Sequence, residues 1–266
     1  MADNLLYELK NIRYSYLDRF SALNNISLDI KAGERITLMG ANGSGKSTLL
    51  LMLAGLIVPN EGTIKFLGKD LTEGEFFRRK VGIVFQNPDI QLFNSNVTDE
   101  IMFGLLQLEL TKEEALKRTE DGLRIMGITH LRDRHPQYLS IGEKKRVAIA
   151  SVLAMEPEVF LLDEPTAGLD PRTTRHLIET ILMLGEKGKT IITATQDVHI
   201  VSEIADRAVV LSEEKAIVKD GDICDIMKDR EFLEKHNLVH AHIHTHAGKT
   251  HVHPHEHPDH HHPHQQ

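Results

Sequence analysis

The sequence predicts a doubly wound α/β core, with a small antiparallel sheet before it, a helical insertion within it and a histidine-rich tail after it. Three observations support this prediction. Short buried strands alternate with helical segments. One strand runs into a glycine-rich loop of the form G-x-x-x-x-G-K-S at 40–47. Another strand ends in two acids, Asp163 and Glu164. A strand, a glycine-rich loop and a helix in this order are the context that phosphate binding requires.

Composition narrows the class of protein. The chain has 266 residues, of which 41% are hydrophobic and 26% charged, as in an ordinary globular protein. A net charge of −8 argues against nucleic acid as a partner. Cys224 is the only cysteine, which excludes an internal disulfide framework and fits a reducing cytosol. We expect no signal peptide, and the longest apolar run, at 49–58, is about half of a membrane span.

The segments before and after the glycine-rich loop have distinct patterns. Residues 6–30 alternate between apolar and polar side chains, which predicts an antiparallel sheet of half-buried strands. A buried strand at 36–39 then leads into the loop, and a helix follows at 48–57. Strands at 63–67 and 81–85 come next, and Gln86-Asn87-Pro88 stops the second one.

A helical insertion is predicted at about 88–155, where strand patterns give way to amphipathic periodicity. Capping boxes at 111–114 and 140–143 open two of its helices. After it the core resumes with buried strands at 159–162, 189–195 and 209–211. Asp170-Pro171 is an N-cap followed by proline, and it predicts a helix to about 184.

The glycine-rich loop is predicted to hold a triphosphate. Its glycines let the backbone turn N–H groups inward, and the next helix adds the positive end of its dipole. Lys46 should reach the β- and γ-phosphates, and the Ser47 hydroxyl should bind Mg²⁺. The predicted ATP-binding residues of this loop are Gly40, Ala41, Asn42, Gly43, Ser44, Gly45, Lys46, Ser47 and Thr48.

The acid pair after the buried strand is predicted to serve ATP hydrolysis. Strand ends in such sheets converge on the ligand crevice, so Asp163 can join the Mg²⁺ shell and Glu164 can accept a proton from attacking water. The alternative interpretation is that the two acids only cap the following turn.

Residues 140–150, Ser-Ile-Gly-Glu-Lys-Lys-Arg-Val-Ala-Ile-Ala, resemble the signature motif of ABC ATPases. Other motifs of that family match in the same order: Tyr16 at the A-loop, Gln86 at the Q-loop and Asp170 at the D-loop. The resemblance covers about 5–235. It implies a P-loop ABC ATPase with a RecA-like core in a domain at 1–236, an N-terminal antiparallel β-subdomain and an inserted helical subdomain.

The same resemblance implies roles for residues outside the loop. Tyr16 would stack on adenine, although a strand tyrosine can equally pack in a core. Gln86 would reach Mg²⁺ or the attacking water, unless it simply ends a strand. Ser140, Gly142 and Glu143 would contact the ATP of a second protomer, the partner in a homodimer; Ser140 alone would only cap a helix.

Two segments narrow the resemblance further. Residues 81–93 and 144–150 are similar to energy-coupling-factor ATPases of the cobalt and nickel uptake branch. This implies attachment to the cytoplasmic face of the membrane, under a transmembrane coupling protein and a metal-selecting membrane subunit. Three departures from the family pattern stand out: Ile141 replaces a glycine, Glu143 a glutamine and Gln196 a histidine that contacts the γ-phosphate. We expect Gln196 to support hydrolysis through its amide donor.

The tail at 237–266 is of low complexity, and we expect it to be disordered. Thirteen of the seventeen histidines lie between His236 and His264, a density suited to Ni²⁺, Co²⁺ or Zn²⁺. The candidate ligands are His240, His242, His244, His246, His251, His253, His255 and His257. The alternative interpretation of the tail is a purification tag. The alternative functions of the whole chain are a metal-storage module with a vestigial ATPase core and the ATPase of another ABC or energy-coupling-factor importer.

Overall fold

A computed structural model describes residues 4–71, 77 and 79–239, and the backbone alone of 242–246 and 249–253. The strands are β1 (Leu5–Tyr16), β2 (Phe20–Lys31), β3 (Arg35–Met39), β4 (Glu61–Phe66), β5 (Lys69–Asp70), β6 (Val81–Val84), β7 (Val159–Asp163), β8 (Thr190–Ala194), β9 (Arg207–Leu211), β10 (Ile217–Asp222), β11 (His242–His246) and β12 (Lys249–His253). The described helices are α1 (Lys46–Leu53), α2 (Val97–Leu106), α3 (Lys112–Ile125), α4 (Ile141–Ala154), α5 (Pro171–Glu186), α6 (Val198–Ile204), α7 (Ile223–Lys228) and α8 (Arg230–Lys235).

The N-terminal sheet has the strand order β2-β1-β4-β5, and its neighbouring strands are antiparallel. Its inward side chains, among them Tyr7, Leu9 and Ile12, are buried against α1. Tyr7 packs edge-to-face on Phe66 with ring centroids 4.9 Å apart, and its hydroxyl donates to the Leu53 carbonyl oxygen at 2.9 Å. The predicted antiparallel sheet is confirmed, and its packing fixes the position of the helix that follows the glycine-rich loop.

The larger sheet has the order β10-β9-β3-β8-β7-β6, in which all strands but β10 run parallel. Its register places Leu38, Ala194 and Asp163 side by side on three adjacent strands. The carboxyl ends of β3, β8 and β7 therefore meet at one edge. The glycine-rich loop after β3 and the acid pair after β7 lie at this edge, as parallel strands require.

Between β6 and β7 the described residues contain only helices, short 3₁₀ turns and loops, as predicted. Helices α2, α3 and α4 pack on one another around Val97, Ile101 and Leu123, all fully buried. Ser140 and Glu143 form a complete capping box on α4. The box predicted at 111–114 forms only in half: Thr111 caps α3, but the Glu114 carboxylate accepts from Arg118 at 2.7 Å. Arg118 lies four residues on and offers a charged donor.

Two parts of the core differ from the sequence prediction. Helix α1 begins at Lys46 and ends at Leu53, and Gly55 follows it with a φ of 64°. The elements β5, α6, β10, α7 and α8 were not predicted. Strand β10 is an edge strand of sequence IVKDGD, whose charges and glycine hide the strand pattern while protecting the exposed edge.

The backbone of the tail pairs β11 with β12 in an antiparallel register that sets His242 opposite His253 and His244 opposite His251. Tail disorder stays a prediction. The candidate ligands His240, His255 and His257 lie outside the described residues. No helix in the described part of the chain has the length and apolar content needed to span a bilayer.

The core extends slightly beyond residue 236. Leu238 is 7% exposed and belongs to the cluster formed by Met39, Val201 and α7, and Val239 packs against the same cluster. We predict that truncation after Val239 leaves the melting temperature unchanged. Truncation after His236 removes a buried leucine worth about 1.5–3 kcal/mol and should lower the melting temperature by several degrees. Equal melting temperatures for the two truncated proteins would contradict this boundary.

Candidate active site

A cleft of about 320 Å³ opens at the sheet edge where β3, β7 and β8 end. It is lined by Tyr16, Ser21, Ala22, Asn42, Gly43, Gly45, Lys46, Ser47, Thr48, Gln86 and Glu164. The other predicted loop residues support it from behind. Ser44 is buried beneath the loop, and Gly40 and Ala41 turn their carbonyl oxygens towards Lys46.

The loop requires glycine at two positions. Gly45 has a φ of 103°, and a Cβ there would lie 2.4 Å from the Ala22 carbonyl oxygen. Gly40 has a φ of 152°, and a Cβ there would lie 2.6 Å from the Leu211 carbonyl oxygen. Neither position tolerates a side chain, so the loop packs directly on β2 and β9. Helix α1 starts at once after Gly45, and its N-terminal N–H groups favour an anion at the loop.

Lys46 is the cation of the cleft. Its side chain is largely buried, and its ammonium donates to the carbonyl oxygens of Gly40 at 2.7 Å and Ala41 at 3.1 Å. Burial lowers the pKa of Lys46, while the nearby carboxylates of Glu164 and Asp163 oppose this shift. Carbonyl oxygens hold the ammonium more weakly than phosphate oxygens would, so Lys46 is available to an incoming triphosphate.

Asp163 lies at the end of β7, and this carboxylate and its surroundings fit a magnesium site. It is 7% exposed, and its Oδ1 atom has no hydrogen-bond partner among the described residues. Burial raises the pKa of Asp163, and a hydrogen bond from the Ser47 side chain and the charges of Lys46 and Lys145 oppose the rise. A buried carboxylate beside a serine hydroxyl offers the hard oxygen ligands that Mg²⁺ prefers.

Glu164 has a constrained backbone and a firmly held carboxylate. Its φ of 43° lies in the left-handed region. Its Oε2 atom accepts from the Thr195 hydroxyl at 3.0 Å, and its Oε1 atom accepts from the Gln196 backbone N–H at 3.1 Å. Burial raises the pKa of Glu164, with the neighbouring Asp163 charge adding to the rise. A raised pKa makes the carboxylate a stronger base, as proton transfer from water requires.

Tyr16 and Gln86 both line the cleft. Tyr16 is 40% exposed, and its hydroxyl lies 3.3 Å from the Thr48 hydroxyl oxygen. This exposure argues against the core-packing interpretation of Tyr16. Gln86 follows β6, so the sheet brings it to the same edge as Glu164.

The signature residues lie elsewhere: none of Ser140, Gly142 and Glu143 is among the residues that line the cleft. The Glu143 carboxylate accepts from the Ser140 backbone N–H at 2.8 Å, and this bond lowers the pKa of Glu143. Asp170 caps α5 by accepting from the Thr173 N–H at 3.0 Å. The side chain of Gln196 is exposed and also lies outside the cleft lining, although its backbone holds Glu164.

Three residues of the site were missed by the sequence analysis. Thr195 holds the Glu164 carboxylate. Lys215, at a φ of 65°, donates its ammonium to the Gly43 carbonyl oxygen at 2.5 Å and so supports the phosphate loop. Lys145 reaches the backbone of Glu164 from α4. Thr195 directly precedes Gln196, and Lys145 lies within the signature segment 140–150, whereas Lys215 lies away from every recognised motif.

A parallel sheet that gathers a phosphate loop, its lysine and hydroxyl, and two buried carboxylates at one edge defines a phosphate-loop nucleoside triphosphatase. The family model of the ABC transporter matches residues 23–167, which is more than half of the chain. The chain therefore belongs to the ABC transporter ATPases. It is an ATP hydrolase whose turnover is coupled to transport, and ATPases of this family work as dimers with membrane subunits.

Three similar proteins illustrate the family. A Methanosarcina acetivorans protein assigned to the ABC transporter ATP-binding proteins is 47% identical over 252 residues, covering 91% of each chain. The energy-coupling factor transporter ATP-binding protein EcfA of Carboxydothermus hydrogenoformans is 43% identical and covers 88% of this chain and 87% of its own. The solved structure of cbiO1 from Clostridium perfringens, part of the ABC transporter complex cbiONQ, has a TM-score of 0.75 at 38% identity and covers 88% of this chain and 95% of its own.

No cluster of three or more histidine, cysteine or acidic side chains suited to a metal ion occurs among the residues whose side chains the structure describes. The tail histidines remain the candidates for transition-metal binding, and their side chains lie outside that part of the chain.

The pKa of Asp163 leads to a stability prediction for the nucleotide-free protein. Because the folded-state pKa is raised, the ionised group destabilises the fold at high pH, and the penalty disappears as pH falls through that pKa. Asp163→Asn should therefore raise the melting temperature by a few degrees at about pH 8, and the gain should shrink as the pH falls towards the ordinary aspartate pKa of about 3.9. Thermal melts without nucleotide or Mg²⁺ measure this.

The matched control is Asp225→Asn, which changes an aspartate with a side chain 78% exposed in a surface pair with Lys228. It should leave the melting temperature within about 1 °C of the parent, as surface substitutions usually do. A destabilised Asp163→Asn protein at every pH would contradict the account of this site.

Proposed function

We propose that this chain powers the import of a divalent transition metal, nickel or cobalt, as the peripheral ATPase on the cytoplasmic face of a membrane transporter. The observation that carries the proposal is a histidine-rich tail joined to an ATPase core similar to the cobalt and nickel branch at 81–93 and 144–150. The likeness to cbiO1 and to EcfA supports an energy-coupling-factor transporter.

In the proposed mechanism the phosphate loop and Tyr16 bind ATP, and Lys46 moves from the loop carbonyls to the β- and γ-phosphates. Ser47, Asp163 and Gln86 are the residues that would hold Mg²⁺, which neutralises charge on the phosphate oxygens. Glu164 accepts a proton from the attacking water. Its carboxylate is suited to this because Thr195 and the Gln196 N–H fix its direction while burial raises its pKa.

Gln196 is proposed to donate its side-chain amide to a γ-phosphate oxygen once the site closes. Its backbone already touches Glu164, and its exposed side chain is free to turn into the cleft. An amide can supply the hydrogen bond but not the positive charge of a protonated imidazole, so this donor stabilises the transition state less.

A second protomer is proposed to complete the site. Ser140, Gly142 and Glu143 lie outside the cleft of their own chain, at the start of the 14-residue helix α4, whose N-terminus favours an anion. The Ser140 oxygen accepts from the Glu143 N–H at 3.3 Å, which leaves the hydroxyl proton for a partner's γ-phosphate. In a homodimer, two ATP molecules would lie between a phosphate loop and the opposite Ser140, near the opposite Asp170.

The membrane coupling protein is proposed to dock in an apolar groove between β6 and the helical region. The groove measures about 280 Å³ and includes Phe93 and Phe103, whose rings meet edge-to-face at 4.9 Å. Both rings remain partly exposed, at 67% and 45%, so they offer an apolar surface to a partner. Gln86 directly follows Phe85, which lines this groove, and itself lines the nucleotide cleft, so this short segment after β6 would connect the membrane contact with the nucleotide.

The tail is proposed to bind Ni²⁺, Co²⁺ or Zn²⁺ through several imidazoles at neutral pH and to release them on acidification. Backbone pairing of His242 with His253 and of His244 with His251 keeps these residues adjacent. A second candidate function follows from the EcfA relatives: the ATPase of an energy-coupling-factor importer with another substrate. A storage protein with a vestigial core is disfavoured, because the cleft contains Lys46, Gln86 and Glu164.

The proposed base predicts the behaviour of Glu164→Gln. Removing the proton acceptor without changing the cradle should keep ATP binding, lower turnover by at least about 100-fold and leave a stable ATP-bound dimer. ATP hydrolysis and size-exclusion chromatography with MgATP measure both effects. Turnover at the parental rate would show that Glu164 is not the base.

The metal proposal is tested by radiometal uptake in cells that carry the membrane partners together with this chain. We predict ⁶³Ni²⁺ or ⁵⁷Co²⁺ uptake that disappears in Glu164→Gln and persists, with altered metal dependence, after truncation at Val239. ATP hydrolysis that is stimulated by the membrane partners without uptake of either metal would favour the second candidate function.

A further inference from the structure

Lys145, in α4, is a buried lysine of unusual environment. It is only 3% exposed, and its ammonium donates to the carbonyl oxygens of Glu164 at 2.8 Å and Ala167 at 2.6 Å. Within the described residues no carboxylate oxygen lies within 4 Å of it. The preceding Lys144 is ordinary by comparison, because it pairs with the Asp89 carboxylate at 2.7 Å near the surface.

Burial of an ammonium group costs free energy, so the groups that accept its hydrogen bonds indicate what the buried lysine does in the structure. Burial lowers the pKa of Lys145, while the charges of Glu164 and Asp163 oppose the shift. An apolar side chain would fill the same space without this cost. Both hydrogen bonds from Lys145 go to a single turn, 164–167. This turn is closed by its own hydrogen bond, in which the Ala167 N–H donates to the Glu164 carbonyl oxygen at 3.3 Å.

That turn begins with the strained residue of the active site. Glu164 has a φ of 43°, and such a conformation persists only when several contacts enforce it. Its N–H donates to the Ala194 carbonyl oxygen at 2.9 Å, and its own carbonyl oxygen accepts from Lys145. Lys145 and β8 therefore hold the backbone of Glu164 from opposite ends of the residue, while Thr195 holds the carboxylate.

We propose that Lys145 is a positioning residue for ATP hydrolysis, which fixes the 164–167 turn and so directs the Glu164 carboxylate. It also connects that turn to the helix capped by Ser140. A displacement of α4 when Ser140 meets the nucleotide of the second protomer is thus passed to the base of its own site. The inference rests on the proposed roles of Glu164 and Ser140.

The test compares Lys145→Met, which keeps the length of the stem, with Lys145→Gln, which retains an N–H donor. We expect Lys145→Met to lower kcat between about tenfold and 100-fold, because misplacement of a catalytic group by about 1 Å can cost this much. The KM for ATP and the ATP-dependent thermal stabilisation should change by less than about twofold. Lys145→Gln should recover part of the loss. The matched control is Lys189→Met, which removes a hydrogen bond from a lysine ammonium to the Glu156 carbonyl oxygen. This variant should keep the parental kcat.

A double variant separates positioning from general destabilisation. Thr195→Val removes the other support of the same carboxylate, so its loss and that of Lys145→Met should not multiply. Losses that multiply, parental kcat in Lys145→Met, or equal loss of ATP binding in the Met and Gln variants would overturn the inference. If Glu164→Gln is inactive and Lys145→Met is fully active, only the positioning role of Lys145 is contradicted. If Glu164→Gln is active, the proposed role of Glu164 as the base is contradicted as well.

Discussion

The structure depends on two adjacent carboxylates, Asp163 and Glu164, buried at the end of a central parallel strand. Buried acids of like charge destabilise a fold unless donors and cations surround them. Here Ser47, Thr195 and the Gln196 N–H supply hydrogen bonds, and Lys46 and Lys145 supply positive charge. These neighbours come from three elements, namely the start of α1 after the phosphate loop, the end of β8, and α4, so the need to satisfy one acid pair draws the three together.

This arrangement agrees with the proposal that a second protomer completes the site. The phosphate loop, the base and Gln86 share one cleft, whereas Ser140 and Asp170 begin helices outside it. Helix α4 lies between the two groups: its start carries the signature, and Lys145, two residues beyond the capping box, contacts the turn that begins at Glu164. In the proposed dimer, a single helix would therefore join the surface that contacts the second protomer with the proposed base of its own site.

Much of the fold and of the candidate site could be predicted from the sequence because the motifs are local. The phosphate loop, the acid pair and the Ser140 and Asp170 caps each depend on a few consecutive residues, and the parallel sheet brings strand ends together by rule. Lys145 and Lys215 could not be predicted, because their partners are backbone carbonyls 19 and 172 residues away that leave no mark in the sequence. Strand β10 was missed for a similar reason: its charged edge sequence lacks alternation. The predicted Glu114 contact of the capping box at 111–114 was wrong, because the Glu114 carboxylate accepts from the charged Arg118 instead.

The central claim, that each hydrolytic site combines the phosphate loop of one protomer with the signature helix of another, is tested most directly by complementation. Lys46→Ala impairs the cradle and keeps Ser140, whereas Ser140→Arg blocks the signature and keeps the cradle. Each variant alone should be inactive. A mixture should regain up to about a quarter of the parental activity, because random pairing makes half of the dimers mixed and each mixed dimer has one intact site of two. No recovery in mixtures shown to contain mixed dimers would contradict the account, as would parental turnover by Ser140→Arg alone.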